Sequence, residues 1–593
     1  MSCLCLLGCS KVLPTLHKDN GLERLNALCS DFWELMLRTH PDLARRVGDP
    51  RYQDHLEDIR PAALMKRAAA LRNLQHRLSK IDSKVLVLND RISFAALTRE
   101  LEKELFWISS GFHRWSVSTG AGPLIQMLDD ANTTHLYSNR DAESYIVRCR
   151  KYADILRVHA DNLSQGLHSG LVANKDVIIG ALKQIDELIQ KKPQDWPLLD
   201  PLRRETGLNR SRLSRLHKQL LTCITTHLRP AFARYGSFLK RIILPKARSS
   251  ESPGLVFLEN GRNLYRKAIR VATSGDYQPE ELHELGLMEL RKIRTRIEDL
   301  GGSLLGERTF ATILNRLRDE VTWRFVSSKE IEDVANAAMR RAERELPKWF
   351  SLSPPTTCLV RPMTSIEAVS SGGPYYSPGP LNRNLPGYFM YNPLNPAEQP
   401  RFEMEDITFH ETLPGHHMQL SIAAKLKGIP EFRKWFIDDD FSEGWALYAE
   451  GLADEMGLYS SDLYRIGMLT GDALRCARLV VDTGIHYFGW SRQRAIRFMQ
   501  ENTGLSPSDV LSEVDRYIAT PGQALAYKCG QLEIMRLREE GKRRMGDRFD
   551  IRRFHDILLK GGGRPFTVIR DELKAYFNGQ VNVTTHEDTN FHL

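Results

Sequence analysis

Apolar residues recur every three or four positions, with polar residues between them, across Leu22 to Arg46, Pro61 to Ile81, Asp90 to Trp107, Ala142 to Leu163, Lys175 to Lys191 and Leu208 to Arg229. A helix that buries one face needs this period, and the segments are rich in helix-forming residues. A further helical hairpin region is expected from Pro279 to Trp349, with no regular internal repeat. The pattern weakens at Pro193 to Pro201. It breaks more clearly at Ala247 to Gly254, where Ser249, Ser250, Ser252, Pro253 and Gly254 cluster. Gly387-Tyr388-Phe389-Met390-Tyr391-Asn392, after a Pro/Gly/Ser-rich stretch from Ser370 to Pro386, has strand composition. The expectation is a mainly α, two-lobed protein built of long helices with a small β-sheet. Residues 1–20 would form a tail, 21–248 a helical scaffold lobe and 255–593 the lobe that carries the chemistry.

Composition adds bounds. At 593 residues, with 26% charged and 42% hydrophobic positions, the chain has an ordinary globular balance and exceeds one ordinary core. A net charge of +9, from 83 basic and 74 acidic residues, comes without a sustained basic run or a nucleic-acid motif. No nucleic-acid partner is expected. No run approaches the roughly 20 apolar residues of a membrane span, so no integral membrane segment is expected either. Nothing in the sequence fixes an oligomeric state.

Chemistry concentrates in His410-Glu411-Thr412-Leu413-Pro414-Gly415-His416-His417-Met418-Gln419. In the usual H-E-x-x-H arrangement two histidines one helical turn apart reach one metal, and the Glu faces its bound water. Here Pro414 stands at the fourth position after His410. On a straight helix His416 would be rotated by roughly 240° and raised about 9 Å relative to His410, and His417 would lie about 10.5 Å higher. Neither could share a metal with His410. Pro414, however, cannot donate to the carbonyl of His410, and with Gly415 it must interrupt the helix. Such an interruption can swing a second histidine back beside His410, and the residues alone leave His416 and His417 both open.

A third ligand is sought downstream. Ser442-Glu443-Gly444-Trp445-Ala446-Leu447-Tyr448-Ala449-Glu450 reads as a helix entered through a Ser442 cap. Glu443 is the expected metal ligand, completing two histidines and one carboxylate. The alternative is a first-turn charge that complements the helix dipole. Glu450, two turns along on the same face, is suited to hold a ligating histidine from behind.

These motifs, with Arg478-Leu479-Val480-Val481-Asp482-Thr483-Gly484-Ile485-His486 and Arg516 to Gly530, resemble the domain-of-unknown-function family 885. That family is grouped with the gluzincin-type zinc metallopeptidases. The likeness runs from about residue 25 to about 580 in the numbering of this chain. It implies a metallopeptidase-like fold, one zinc ion, and a peptide or small amide as substrate. Gly415-His416 also resembles the end of the lengthened motif of dipeptidyl peptidase III, which favours His416 as second ligand and leaves His417 as the alternative. By the same resemblance Tyr388 to Asn392 would be an edge strand that holds an extended peptide.

Two helical segments gain meaning beside this core. Arg475, Arg478, Asp482 and His486 form a polar stripe on an apolar helix from Leu474 to Phe488. It is read either as the floor of the site, with His486 at an oxyanion or positioning a ligand and Asp482 behind it, or as a structural network. Thr520 and Gln523 have capping-box spacing with Pro521 at the first helical position. Tyr527 is the candidate oxyanion donor, and Lys528, Arg475 and Arg478 are candidates for a substrate carboxylate. The expected reaction is hydrolysis of an amide by a water activated at zinc, with Glu411 as general base. A deacylase acting on a small metabolite and an inactive, peptidase-like binding protein are the alternatives.

Localisation is read least directly. Leu6-Leu7-Gly8-Cys9 resembles a lipoprotein cleavage box, but no basic region or full apolar stretch precedes it. The chain reads as soluble and cytoplasmic as written, or as exported or a lipoprotein if its start is truncated, the tail then being the remnant of an export signal. Nine cysteines, an odd number, read as free thiols.

Overall fold

The computed structural model describes residues 21–579 apart from Glu205 and residues 364–367, 369–372 and 380–384. The tail and its Leu6 to Cys9 motif lie outside the described residues, as does much of the Pro/Gly/Ser-rich stretch. The protein is mainly α, with one three-stranded sheet.

The scaffold helices follow the apolar period closely. Pro61–Leu78, Leu88–Ser110, Asn139–His168 and Lys175–Gln190 are each continuous. The first segment divides into Gly21–Thr39 and Pro41–Arg46, because Pro41 takes the first position of a new helix. The last runs as Arg210–Cys223, a π turn over Ile224–Leu228, and Arg229–Phe238. Pro193 to Pro201 is not a linker. It forms short 3-10 turns that bury Trp196, Leu198 and Leu199. The core beneath these helices also takes in Leu479, Leu525 and Cys529, so apolar packing continues across the Ser-rich break.

A polar junction also joins the two halves. Asp438, which precedes the helix Asp439–Glu455, is buried and accepts from Arg99 and, at 2.9 Å, from Lys103 of Leu88–Ser110. Arg99 also donates to the carbonyls of Arg270 and Val271 at the end of Gly261–Thr273. Burial works against the Asp438 carboxylate, but these two cations outweigh it and hold its pKa below the usual range.

Two helix pairs frame the site. Pro279–Leu305 lies along Asp462–His486, and Asp439–Glu455 crosses Ala526–Met545. The second crossing is set by glycine. A Cβ on Gly444 would fall 2.5 Å from the Gly530 Cα, and one on Gly530 would fall 1.7 Å from the Asp440 carbonyl. Both are below any tolerable contact, so the two backbones approach more closely than larger residues would permit. This approach brings Glu443, immediately before Gly444, and Tyr527, three residues before Gly530, into one neighbourhood.

The sheet has the order β1-β3-β2, with β1 Cys358–Pro362, β2 Tyr375–Ser377 and β3 Gly387–Tyr391. β3 pairs parallel to β1 and antiparallel to β2. The strand expected at the edge is therefore central, and its backbone is committed on both sides. β2 is the edge strand that reaches the site. Among the described residues no helix is long and apolar enough to cross a membrane, and the described cysteines are unpaired and buried.

Candidate metal centre

The His-Glu segment is two helices, not one bent helix. Met404–Glu411 ends at Thr412, the Leu413–Pro414 peptide is cis, and His416–Lys425 begins after Gly415. Gly415 N–H donates to the Phe409 carbonyl at 3.1 Å and Met418 N–H to that of Thr412 at 3.4 Å. A Cβ on Gly415 would stand 1.9 Å from the His410 carbonyl oxygen, so the chain can fold back here only without a side chain. The fully buried Trp445 pins the turn by donating its indole N–H to the Pro414 carbonyl at 3.0 Å.

This turn solves the spacing problem. The rings of His410 and His416 stand 4.8 Å apart, nearly perpendicular at 87°. Glu443 Oε2 lies 3.6 Å from His410 Nε2 and 3.5 Å from His416 Nε2. Donors held about 2.1 Å from one tetrahedral ion stand about 3.4 Å from each other. The spacing and the donor types, two imidazoles and a carboxylate, thus fit a single small divalent cation. Glu411 borders the same point, its Oε1 3.9 Å from His410 Nε2 and its Oε2 accepting the Tyr376 N–H of β2 at 2.8 Å.

Electrostatics reflect the convergence. Burial disfavours a charged His410, but Glu443, Glu450 and Glu411 outweigh it and hold the ring up to about 10. Burial likewise pushes the Glu443 carboxyl up, yet the two histidines hold it well below the usual carboxylate range.

His410 is oriented from behind. Its Nδ1 donates to Glu450 Oε1 at 2.7 Å, and that oxygen also accepts from Arg475 Nη2 at 3.2 Å. Arg475 is thus spent inside the protein and not on a substrate. Asp406, one turn before His410, accepts from Tyr459 at 2.8 Å. Burial and the nearby Glu450 charge raise its pKa well above normal, although Arg475 opposes them. Sequence reasoning missed Asp406, Tyr459 and Tyr376. The one available signal was Asp406, which lies four residues before His410 on the same helical face.

Of the two histidines left open, His416 joins the cluster. His417 donates from Nε2 to the Thr356 carbonyl at 2.9 Å and accepts at Nδ1 from the Tyr376 hydroxyl at 3.0 Å. Both nitrogens are used, and burial lowers its pKa to about 4, partly offset by Thr356. It ties the second helix to β2 and is not an alternative ligand.

Several expected site residues are structural. His486 accepts from Leu255 N–H at 3.2 Å and donates to the Tyr517 carbonyl at 2.9 Å, and burial pushes its pKa down to about 3. It has no nitrogen left for an oxyanion. Asp482 accepts from the Tyr265 hydroxyl at 2.6 Å and from Gly522 N–H at 3.1 Å, fixing the turn before Tyr527 rather than a metal ligand. Lys528 is buried on Asp472 at 2.6 Å and Gln531 at 2.7 Å. Asn392 donates to the Ala368 carbonyl at 2.7 Å and accepts from Leu394 N–H at 2.9 Å, which makes it a turn residue. Tyr388 is held under the Arg361 guanidinium, 4.1 Å from its ring centre, on the central strand. His486, Asp482, Lys528 and Asn392 thus have their polar groups committed inside the protein.

Local geometry departs from two expected caps. The Glu443 helix starts at Asp439, so Ser442 is internal, with its hydroxyl 3.3 Å from Gln419 Oε1, and Glu443 lies beyond the first turn. The dipole explanation for Glu443 therefore loses its ground. Thr520 ends the Pro507–Ala519 helix, and Gln523 accepts from Arg516 at 2.5 Å, so no capping box forms. Gly522, at φ 87°, turns the chain into Ala526–Met545.

Tyr527 stays near the centre. Burial raises its phenol pKa, the Glu443 charge raises it further, and Arg478 opposes both. Arg478 stands 4.5 Å from the Tyr527 ring centre while donating to Glu513 at 2.9 Å and to the Tyr517 hydroxyl at 3.1 Å. Arg478 therefore holds Tyr527 in place by its ring face.

The fold recurs in solved structures. A "putative lipoprotein" from Colwellia psychrerythraea superposes with a TM-score of 0.87 at 23% identity, covering 94% of this chain and 99% of that one. A "putative lipoprotein of unknown function" from Shewanella oneidensis gives a TM-score of 0.69 at 18% identity, covering 93% and 99%. No curated protein matches significantly. The model of the family described as bacterial protein of unknown function (DUF885) matches residues 41–573, and the chain belongs to that family.

Proposed function

We propose that this protein is a zinc-dependent hydrolase of amide bonds, a metallopeptidase of the gluzincin type. The observation that carries the reading is the convergence of His410 Nε2, His416 Nε2 and Glu443 Oε2 at 3.5 and 3.6 Å, with Glu411 at its border. Two histidines and one carboxylate are a donor set that zinc accepts with a position left open. Bound there, the ion would lower the pKa of a water to about 7 and polarise a carbonyl.

The rest of the chemistry belongs to the chain. Glu450 fixes His410 in the tautomer that presents Nε2. Glu411 is the general base, taking a proton from the attacking water and delivering it to the leaving amine. Its Oε2 is tethered by Tyr376 N–H, which leaves Oε1 toward the reacting water. Tyr527 offers a hydroxyl to the oxyanion, its ring steadied by Arg478.

The resemblance to structures described as lipoproteins, with Cys9 in its Leu-Leu-Gly-Cys setting, supports export as a lipoprotein. Two measurements test the hydrolase reading. Elemental analysis should find about one zinc per chain, and Glu411→Gln should keep that zinc while losing amide hydrolysis. Purified protein without a stoichiometric transition metal, or full activity in Glu411→Gln, sinks the proposal.

A further inference from the structure

Beyond the reaction type, the edge of β2 bears on which substrates the site can hold. β2 has β3 on one side. On the other, Tyr376 turns its N–H to Glu411. Tyr376 stands opposite Phe389, so Tyr375 and Ser377 direct their backbone groups to β3, and Tyr376 directs its own outward. The positions in step with Tyr376 are Pro374 and Pro378. Neither has an N–H. A chain added antiparallel to this edge exchanges an N–H and a carbonyl with each outward residue. Here Pro374 and Pro378 have no donor to give, and that of Tyr376 is taken by Glu411.

An extended polypeptide laid on this edge would bury carbonyls without donors to meet them. Each unmet carbonyl weakens the binding of such a chain. An ammonium group has the opposite needs. It carries three donors and no acceptor, which matches the outward Tyr376 carbonyl at an edge with no N–H to offer. We propose that the site takes short peptides or amides that present a free amino terminus to the β2 edge, and does not hold a long chain as an added strand. This deepens the hydrolase reading and rests on it.

Binding and turnover are separated to test it. Zinc-loaded Glu411→Gln, whose amide oxygen still accepts from Tyr376, is immobilised and offered equimolar randomised pools of tripeptides, N-acetylated tripeptides and decapeptides. Retained peptides are read by mass spectrometry. Free tripeptides should be enriched at least tenfold over acetylated ones, with no gain for decapeptides. Replacing both prolines (Pro374→Ala, Pro378→Ala) in the same background restores outward N–H groups and should raise decapeptide retention several-fold. Equal retention of acetylated and free tripeptides, preference for decapeptides in the parent protein, or no retention of any pool overturns the proposal. The wild-type protein is assayed on the same pools in parallel. Selective retention without hydrolysis would remove the hydrolase reading and leave the binding preference standing, whereas cleavage of long, blocked chains would do the reverse.

Discussion

Glu450 and His410 are joined by a 2.7 Å hydrogen bond from Nδ1 to a buried carboxylate oxygen, and this bond decides which face of the imidazole meets Glu443. Removing the charge weakens that hold on the ring and leaves Arg475 without its ionic partner. Glu450→Gln should lower zinc affinity about 10–100-fold, the usual range for a carboxylate behind a ligating histidine. Competition against a fluorescent chelator measures it. An unchanged affinity would remove Glu450 from the centre.

His416 and His417 should separate cleanly. His416→Ala removes a donor and should abolish stoichiometric zinc binding, whereas His417→Ala should retain the metal. His417→Ala instead frees the Tyr376 hydroxyl and the Thr356 carbonyl, and should loosen β2 at a cost of about 1–3 kcal/mol for the groups left unmet. Metal content and thermal unfolding of the two variants report on the difference.

Zinc uptake should be pH-dependent in a definite direction. His410 is held up to about 10 by the carboxylates around it, so the metal-free protein keeps that ring protonated at pH 7. A raised histidine pKa gives the metal-free fold a stabilisation fully present below about 6.5, the unfolded value, and lost as pH rises through about 10. The metal needs the neutral ring, so binding must release a proton, and apparent affinity should rise about tenfold per pH unit across this range. Calorimetry in two buffers of different ionisation enthalpy counts the proton. Zero release at pH 7 contradicts the charge arrangement.

Gly415→Ala tests the turn. A methyl group placed 1.9 Å from the His410 oxygen and 2.4 Å from that of Phe409 cannot be accommodated without moving the ligand backbone. The expected loss is about 3 kcal/mol of stability, in the range of a strained special backbone site, together with loss of zinc. Denaturant unfolding with metal analysis reads both.

His486→Gln should behave oppositely. The ring bridges Leu255 and Tyr517 and touches no reacting group, so the variant should lower the unfolding midpoint while leaving kcat near that of the parent. A large fall in kcat at unchanged stability would return His486 to the site.

The centre was legible in the sequence to the extent that chemistry is local. Periodicity located the scaffold helices, and the types and order of His410, Glu411, His416, Glu443 and Glu450 announced their clustering. The rest depended on long-range contacts that no spacing encodes. His417 could not be told from His416 until Thr356 and Tyr376 were seen to occupy it. The polar stripe looked uniform in sequence, yet Arg475 faces Glu450, Arg478 faces Glu513 and Tyr527, and Asp482 and His486 serve other elements entirely. Strand composition found β3 but could not say that it is central, since strand order is a property of the whole sheet. The Pro/Gly/Ser-rich stretch before β3, which showed no strand composition, supplies β2.

Asp438 carries a consequence for anyone handling this protein in pieces. The cations that face it, Arg99 and Lys103, come from a helix more than three hundred residues earlier in the chain. A fragment starting at the Ser-rich break would begin the Glu443 helix with Asp438, Asp439 and Asp440 stripped of those cations, a knot of mutually repelling carboxylates at the foundation of the ligand helix. Expression of the ligand-bearing half alone should therefore yield insoluble or metal-free material, and adding the first half back as a separate chain should rescue it.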